Sequence, residues 1–367
     1  MNNDPQALLE KYGPKEVKVL ESDRQLARAR FSPCGDFLLA GSYDGQVYRW
    51  DLSADETPAL APHKEHHAFV QGLEFDPKNP VVYSADSWGQ LCCWSYREEA
   101  PATKWANPTA HDGWIHALSV SADGRWVASC GHDRMVRVWE TASGKLHQEL
   151  AGHAEPVFAV RFHPDGKSLV SGDLKGVVKH WDAATGKCVR DLDANVLYQL
   201  HRLQDCGGVR ALAFDRQGKT LAIAGTKPEN GGTVQGVPTV LLWDWAAAKQ
   251  RSEVALGDKS ECFVHELILH PDDFIMAVTS GTPGRGRLQF IKPGEEKAFY
   301  SSKKMQNCHS LAAHPDGFRL AVAATSRGSN GNGRRVDKDG NYVGNTSPIY
   351  ILEMPGGQQV AEPAKTG

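Results

Sequence analysis

The sequence predicts an all-β chain, a seven-bladed β-propeller of four-stranded antiparallel blades, on three observations. The stretch 111–140, HDGWIHALSVSADGRWVASCGHDRMVRVWE, reads as three short strands with two tight turns between them. Similar stretches recur along the chain, and because three strands cannot bury a face alone, the copies must stack. The aromatic residue of the third strand then falls at positions 50, 94, 139, 181, 243, 290 and 350. Its first intervals, 44, 45 and 42 residues, match the spacing of one four-stranded blade.

Each element follows from local chemistry. Within the opening stretch, residues 114–120 are an apolar run with β-branched members, and Ala122-Asp123-Gly124 is a turn. Residues 126–129 form the second strand, His132-Asp133-Arg134 the second turn, and 135–139 a third strand alternating apolar and basic. Segments such as 145–150, 187–192 and 250–256 supply the outer strand. Ahead of the repeats, Asp4-Pro5 followed by QALLEKYG reads as a short capped helix. The organisation expected is therefore an N-terminal extension over 1–16, the propeller over 17–354, and a loose Pro/Gly/Ala-rich tail over 355–367.

A propeller must join its first and last blades or leave two open edges. Aligning Pro33 with Pro164 places residues 17–20 on the segment ending at Leu150-Ala151, the outer-strand slot. The N-terminal strand is thus expected to complete the last blade. The competitor is the tail, where residues 355–360 also look like a turn into an outer strand.

Whole-chain properties narrow the function. The net charge of −3 gives no basic footprint for nucleic acid. No apolar run approaches a membrane span, and MNNDPQALLEKYG has no signal core. Eight scattered cysteines read as free thiols of a reducing cytoplasm rather than a disulfide framework. A cytoplasmic chain with neither a nucleic-acid nor a membrane partner is the expectation.

Gly152-His153, the Pro-Asp-Gly turns, and Trp-Asp at 50–51, 181–182 and 243–244 resemble the WD-repeat family of seven-bladed propellers, over roughly residues 17–354. The resemblance implies a structural tetrad, complete only in the third blade as His111, Ser129, Asp133 and Trp139. In the fourth blade Lys175 stands at the Asp slot and in the second Trp88 does, while the first has Ser22 for the histidine and Ala40 for the serine. It also implies that the residue after the first apolar position of each inner strand looks onto the channel mouth. That slot holds Ala27, Gln71, His116, Phe158, Arg210, His265 and His309. As a recognition rim, Arg210 suits a carboxylate or phosphate, the histidines suit pH-sensitive hydrogen bonds, and Phe158 suits an anchor. The bland alternative is a solvated channel with no fixed ligand.

The insertion 325–347 carries Arg327, Arg334, Arg335 and Lys338 among glycines and asparagines. It reads either as a mobile arm for an acidic partner or as an extended hairpin turning at Lys338-Asp339-Gly340-Asn341. Smaller insertions at 193–204 and 227–238 load the same face. Cys262-x-x-His265 and Cys308-His309 hold zinc-type ligands, but Cys308 takes the slot of Val157 and should be buried, so no metal and no cofactor is expected. No Gly-rich phosphate loop and no G-x-S-x-G elbow occurs. His163, His270 and His314 recur at one turn and read as turn packing. The function expected is a non-enzymatic protein- or peptide-binding scaffold. The alternatives are a lactonase-type hydrolase using the channel His and Arg, and a structural subunit of a larger assembly.

Overall fold

In the third blade the strands Ile115–Val120, Trp126–Gly131, Val136–Glu140 and Leu146–Leu150 lie antiparallel in chain order. Successive side chains of a strand face opposite ways, so each blade feeds two cores. Ile115, Leu118, Val127 and Trp139 pack on Val81, Tyr83 and Leu91 of the second blade. Ala128, Val136, Val138 and Leu150 pack on Val157, Val160, Leu169 and Trp181 of the fourth. The same arrangement repeats round the ring, giving seven separate cores. The computed structural model describes residues 4–357 apart from 202, 230–234, 283, 326–333, 337, 340, 341 and 345.

The inner strands are Leu26–Phe31, Val70–Phe75, Ile115–Val120, Val157–Phe162, Val209–Phe214, Phe263–His270 and Gln306–Ala313. The seventh blade continues through Arg319–Thr325 and Ile349–Glu353, and its outer strand is Lys15–Leu20. The N-terminal strand therefore closes the ring, with Leu20 opposite Ile349 and Lys15 opposite Glu353. The helix Pro5–Tyr12 precedes it, capped by Asp4, whose carboxylate accepts the Gln6 amide (3.1 Å). Pro355–Gly357 forms a 3-10 turn; the rest of the expected tail, 358–367, lies outside the described residues.

The tetrad is not confined to the third blade. There, His111 Nδ1 meets the Asp133 carboxylate (2.9 Å), its Nε2 meets Ser129 Oγ (2.7 Å), and Trp139 Nε1–H donates to the same Oγ (2.8 Å). A carboxylate only accepts, so the proton sits on Nδ1. Nε2 then accepts from the serine, which leaves the Ser Oγ lone pairs for the indole. His153, Asp173, Ser171 and Trp181 repeat this chain in the fourth blade (2.9, 2.7 and 2.8 Å). His66, Asp86, Ser84 and Trp94 repeat it in the second (3.0, 2.7 and 3.0 Å). The expectation that Lys175 and Trp88 replace the aspartate is corrected. The carboxylate comes from the end of the preceding strand, two residues earlier in the chain, and still reaches the imidazole. Where the tetrad is absent, its loss shows: Trp243 Nε1 in the fifth blade is buried without a partner, and the sixth fills the place with Phe290 against Phe274, Phe299 and Tyr300.

At the turn end of the channel, histidines stitch neighbouring blades. His163 Nε2 donates to the Gly218 carbonyl of the fifth blade (2.9 Å) and its Nδ1 accepts the Asp165 amide (3.1 Å). His314 does the same to Gly35 of the first blade (3.1 Å) and to Asp316 (3.1 Å). Gly218 has φ of +70°, and a Cβ there would lie 2.3 Å from His163 Nε2, so this close approach needs glycine.

At the other end, the insertions are paired structure. Residues 193–207 hold the 3-10 turn Asn195–Leu197 and the hairpin Tyr198–His201/Gln204–Gly207. The fifth blade extends its middle strands to Thr220–Glu229 and Gln235–Asp244. In the seventh-blade insertion Arg334–Val336 pairs with Tyr342–Gly344, while 326–333, 337, 340, 341 and 345 lie outside the described residues.

Candidate functional site at the channel mouth

The rim slot is aimed by a recurring backbone irregularity. In blades two to six the ladder between the first two strands shifts register around the second residue of the slot pattern, skipping Gln71, His116, Phe158, Arg210 and His265. A bulged residue is released from the alternation of its strand and re-aimed. That is why these side chains leave the inter-blade cores and gather at the mouth.

They gather into a nearly continuous run of rings. Tyr43 lies 4.9 Å from Phe69, Phe69 6.1 Å from Trp114, and Trp114 5.9 Å from His116. His116 is 4.4 Å from Phe158. The Arg210 guanidinium sits 4.2 Å over Phe158 and 5.4 Å from Phe263, which is 6.4 Å from His265. The structure thus brings His116, Phe158 and Arg210 into direct contact. Gln71 lies beside Tyr43, and Ala27 is buried.

The polar groups of the rim differ in how far they are satisfied. His309 sets its ring nitrogens against the carbonyls of Asn307 (3.0 Å) and Leu26 (2.9 Å). His265 Nε2 meets Ser280 Oγ at 2.6 Å. Burial, then the charge of Arg210, pushes His116 down to about 4. Burial, then His309 and Arg210, pushes His265 down to about 3. Arg210 donates from Nη2 to the Gly207 carbonyl (3.0 Å) at the end of the inserted hairpin. Its Nε and the Nε2 of His116 are buried with no partner. Burial lowers the guanidinium to about 10, and among the described residues no carboxylate pairs with it.

Below the rim the channel opens into a cavity of about 310 Å³ whose wall includes Arg28, Arg30, Arg161 and Arg210 against Glu74 and Glu266. Glu266 accepts from Ser310 Oγ (2.8 Å) and the Leu311 amide (2.6 Å), and pairs with Arg28 (3.2 Å) and Arg30. Burial alone would raise this carboxyl; Arg30 and Arg28 outweigh it and hold the group at about 2. Arg30 and Arg161 also share Glu74 (3.4 and 3.6 Å). The balanced charge of the whole chain thus conceals a locally cationic wall, and does not exclude an anionic partner.

Sequence reasoning missed this wall and the aromatic half of the run. A signal for the aromatics existed, since Phe69, Trp114 and Phe263 each stand immediately before the first apolar residue of an inner strand. The expected basic arm is only partly visible. Arg327 lies outside the described residues, Arg334 and Arg335 occupy one strand of the hairpin, and Lys338 is exposed at its turn. Cys262 and Cys308 are buried, and none of the eight cysteines is in a disulfide. Among the described residues, no helix is long and apolar enough to cross a membrane.

The model of the WD domain, G-beta repeat, matches residues 16–51, 105–140 and 144–182. The chain is similar to telomerase protein component 1 of Mus musculus, 25% identical over 89% of this chain and 11% of the relative. It is similar to small ribosomal subunit protein RACK1y of Oryza sativa subsp. japonica, 29% identical over 53% of this chain and 59% of the relative. It is also similar to transcription initiation factor TFIID subunit 5 of Caenorhabditis elegans, 26% identical over 53% and 28%. The matches therefore span less than two thirds of each of these relatives.

Proposed function

Starting from the chain as a member of the WD-repeat propeller family, we propose that it is a non-enzymatic scaffold, working in the cytoplasm, that binds a protein or peptide at the channel mouth. The observation that carries this reading is the run of rings with Arg210 set among them. Position-specific chemistry on a repeated scaffold comes from what differs between blades, and loops held by a rigid frame are where binding usually resides. Tyr, Trp and Arg are the side chains that most often dominate an interface. The inserted hairpin beside the mouth adds exposed Leu200 and Leu203. The names of the relatives, a ribosomal subunit protein and a TFIID subunit among them, agree with a part that works by association. The scatter of the eight cysteines along the sequence, without a paired framework, suits a reducing compartment.

The test is capture of partners from an extract of the source cells by the full chain and its variants. Phe158→Ala, Phe69→Ala and Trp114→Ala should lose the captured set while keeping the melting curve. Lys167→Glu, exposed at the turn end, should keep it. Loss on the turn end alone would move the site to the opposite face.

One contact favours a second reading, a hydrolase: Ser280 Oγ lies 2.6 Å from His265 Nε2, the beginning of a nucleophile–base pair. Against it, an imidazole held at about 3 is a weak base at neutral pH. Among the described residues no carboxylate hydrogen-bonds its other nitrogen. Ester or lactone turnover that disappears in Ser280→Ala would establish the enzyme.

A further inference from the structure

Arg210 is out of keeping with the other charged groups of the channel. Glu266 and Glu74 are each engaged by at least two arginines. Glu266 also accepts a hydroxyl and an amide, so it has no capacity left for a further cation. Arg210 is the one formally charged residue in the rim slot. Two phenyl rings hold its guanidinium, a single carbonyl accepts from it, and no anion offsets its charge among the described residues. A desolvated cation left in this state is costly to the fold, and a carboxylate arriving from outside would offset that cost. Burial pushes His116, His265 and His309 below the ordinary imidazole range, so Arg210 is the one fixed positive charge of the rim. That balances a carboxylate and falls short of a phosphate dianion. Beside it, Phe69 and Trp114, each 39% exposed, meet nearly edge to face and present apolar surface on the same rim.

We infer that the mouth receives an extended acidic peptide, seating one aspartate or glutamate side chain on the Arg210 guanidinium while an apolar side chain a few residues along the peptide lies against Phe69 and Trp114. This rests on the channel-mouth reading above and specifies its ligand. The guanidinium fork accepts a carboxylate in its plane, and the flanking rings keep that plane fixed before the ligand arrives. Docking of the carboxylate neutralises the rim without moving the buried pairs beneath.

The experiment uses the full chain, immobilised, and four pools of acetylated, amidated octapeptides. The central position is fixed as glutamate, glutamine, phosphoserine or lysine, and the other positions are degenerate. Retention of the glutamate pool should exceed that of the glutamine pool by about tenfold or more, the scale of a desolvated charge pair. Aromatic or aliphatic residues should be enriched a few residues from the fixed position. Arg210→Met should erase the preference and Arg210→Lys should keep part of it. Equal retention of the glutamate and glutamine pools, lost in Phe69→Ala or Trp114→Ala, overturns the acidic ligand and leaves the mouth as a binding surface. Preference for the phosphoserine pool overturns it in favour of a phosphopeptide. Retention indifferent to every mouth variant overturns both readings. No retention of any pool overturns the peptide ligand and leaves only capture of a folded partner. If Arg210→Met does not fold, the wild-type preference and Arg210→Lys still decide.

Discussion

The two ends of the channel are built on the same seven inner strands, yet they treat their polar side chains in opposite ways. At the turn end His163 and His314 each have both ring nitrogens occupied, one by the next blade and one by their own turn. At the mouth, His116 Nε2 and Arg210 Nε are buried with nothing to bond. Buried polar groups are normally satisfied; the two blade-stitching histidines follow the rule, and His116 and Arg210 depart from it. The difference teaches where the fold is held and where it is left open. His163 and His314 have their partners inside the ring, whereas His116 and Arg210 each keep a buried nitrogen without one.

This contrast can be broken by substitutions, and the largest effect is expected between the two ends. Glu266→Ala leaves Arg28 and Arg30 facing each other without their shared carboxylate, and should cost on the order of 3–5 kcal/mol. Thermal melting would read it. A loss no larger than that of a surface residue would show that the wall arginines find water or Glu74 instead. Next comes the fourth-blade tetrad. Asp173→Ala leaves the His153 Nδ1–H without an acceptor, at a cost of about 1–3 kcal/mol. Lys175→Ala removes only an exposed, solvent-screened pair with Glu155 and should leave the denaturation midpoint close to that of the unchanged chain. Denaturant titration giving equal losses would return the tetrad role to the lysine position.

Acid should separate the two kinds of group. His116 at about 4 and His265 at about 3 lie below the ordinary 6.5. Each is held neutral in the fold, so its contribution is complete above pH 6.5 and fades as pH falls toward 4 and 3. Glu266 at about 2, against 4.5, contributes above pH 4.5 and fades toward pH 2. Burial also pushes His63, His180 and His270 down to about 4, so stability measured by denaturant at successive pH values should fall first from these histidines together with those of the mouth, and later from the wall carboxylate. His116→Gln should flatten only the upper limb. An unchanged slope between pH 6.5 and 4 in that variant would mean that the imidazole takes up its proton freely in the fold. The smallest effect is expected at Arg210. Arg210→Met replaces a desolvated, unpaired cation by an apolar chain, and the melting temperature should stay level or rise slightly. A marked loss would mean that the bond to Gly207 holds the inserted hairpin in place.

The propeller was legible because its signal is repeated, so the Trp slots and the turns reinforce one another. Closure was legible too, since residues 17–20 fall on the outer-strand slot. The tetrad was misread because position in an alignment is not position in space. Counting back from Trp181 lands on Lys175, while the imidazole bonds whatever carboxylate comes within reach, and that is Asp173. The rim slot could be named because the family resemblance marks one place in each inner strand, and in blades two to six the structure has a bulge at that place. That Phe158 and Arg210 stack follows from blade order, fourth beside fifth. Their unsatisfied state does not follow, because it depends on where Glu266 sends its oxygens. The wall charges escaped notice because whole-chain charge averages over faces that never meet.

The closing strand also sets how the ring answers a mechanical pull. Lys15 and Glu353 face each other at one end of an antiparallel pair, and Leu20 and Ile349 at the other. The segments before Lys15 and after Glu353 therefore leave from the same corner of one blade. Tension applied through both loads the hydrogen bonds one after another, like a zipper, rather than all together in shear. The seam is made last as well. Its two strands lie roughly 330 residues apart, so at about 5–20 residues per second the first waits on the order of tens of seconds for the second to be synthesised. A ring assembled in this way has one edge that is both the last to form and the first to open under load.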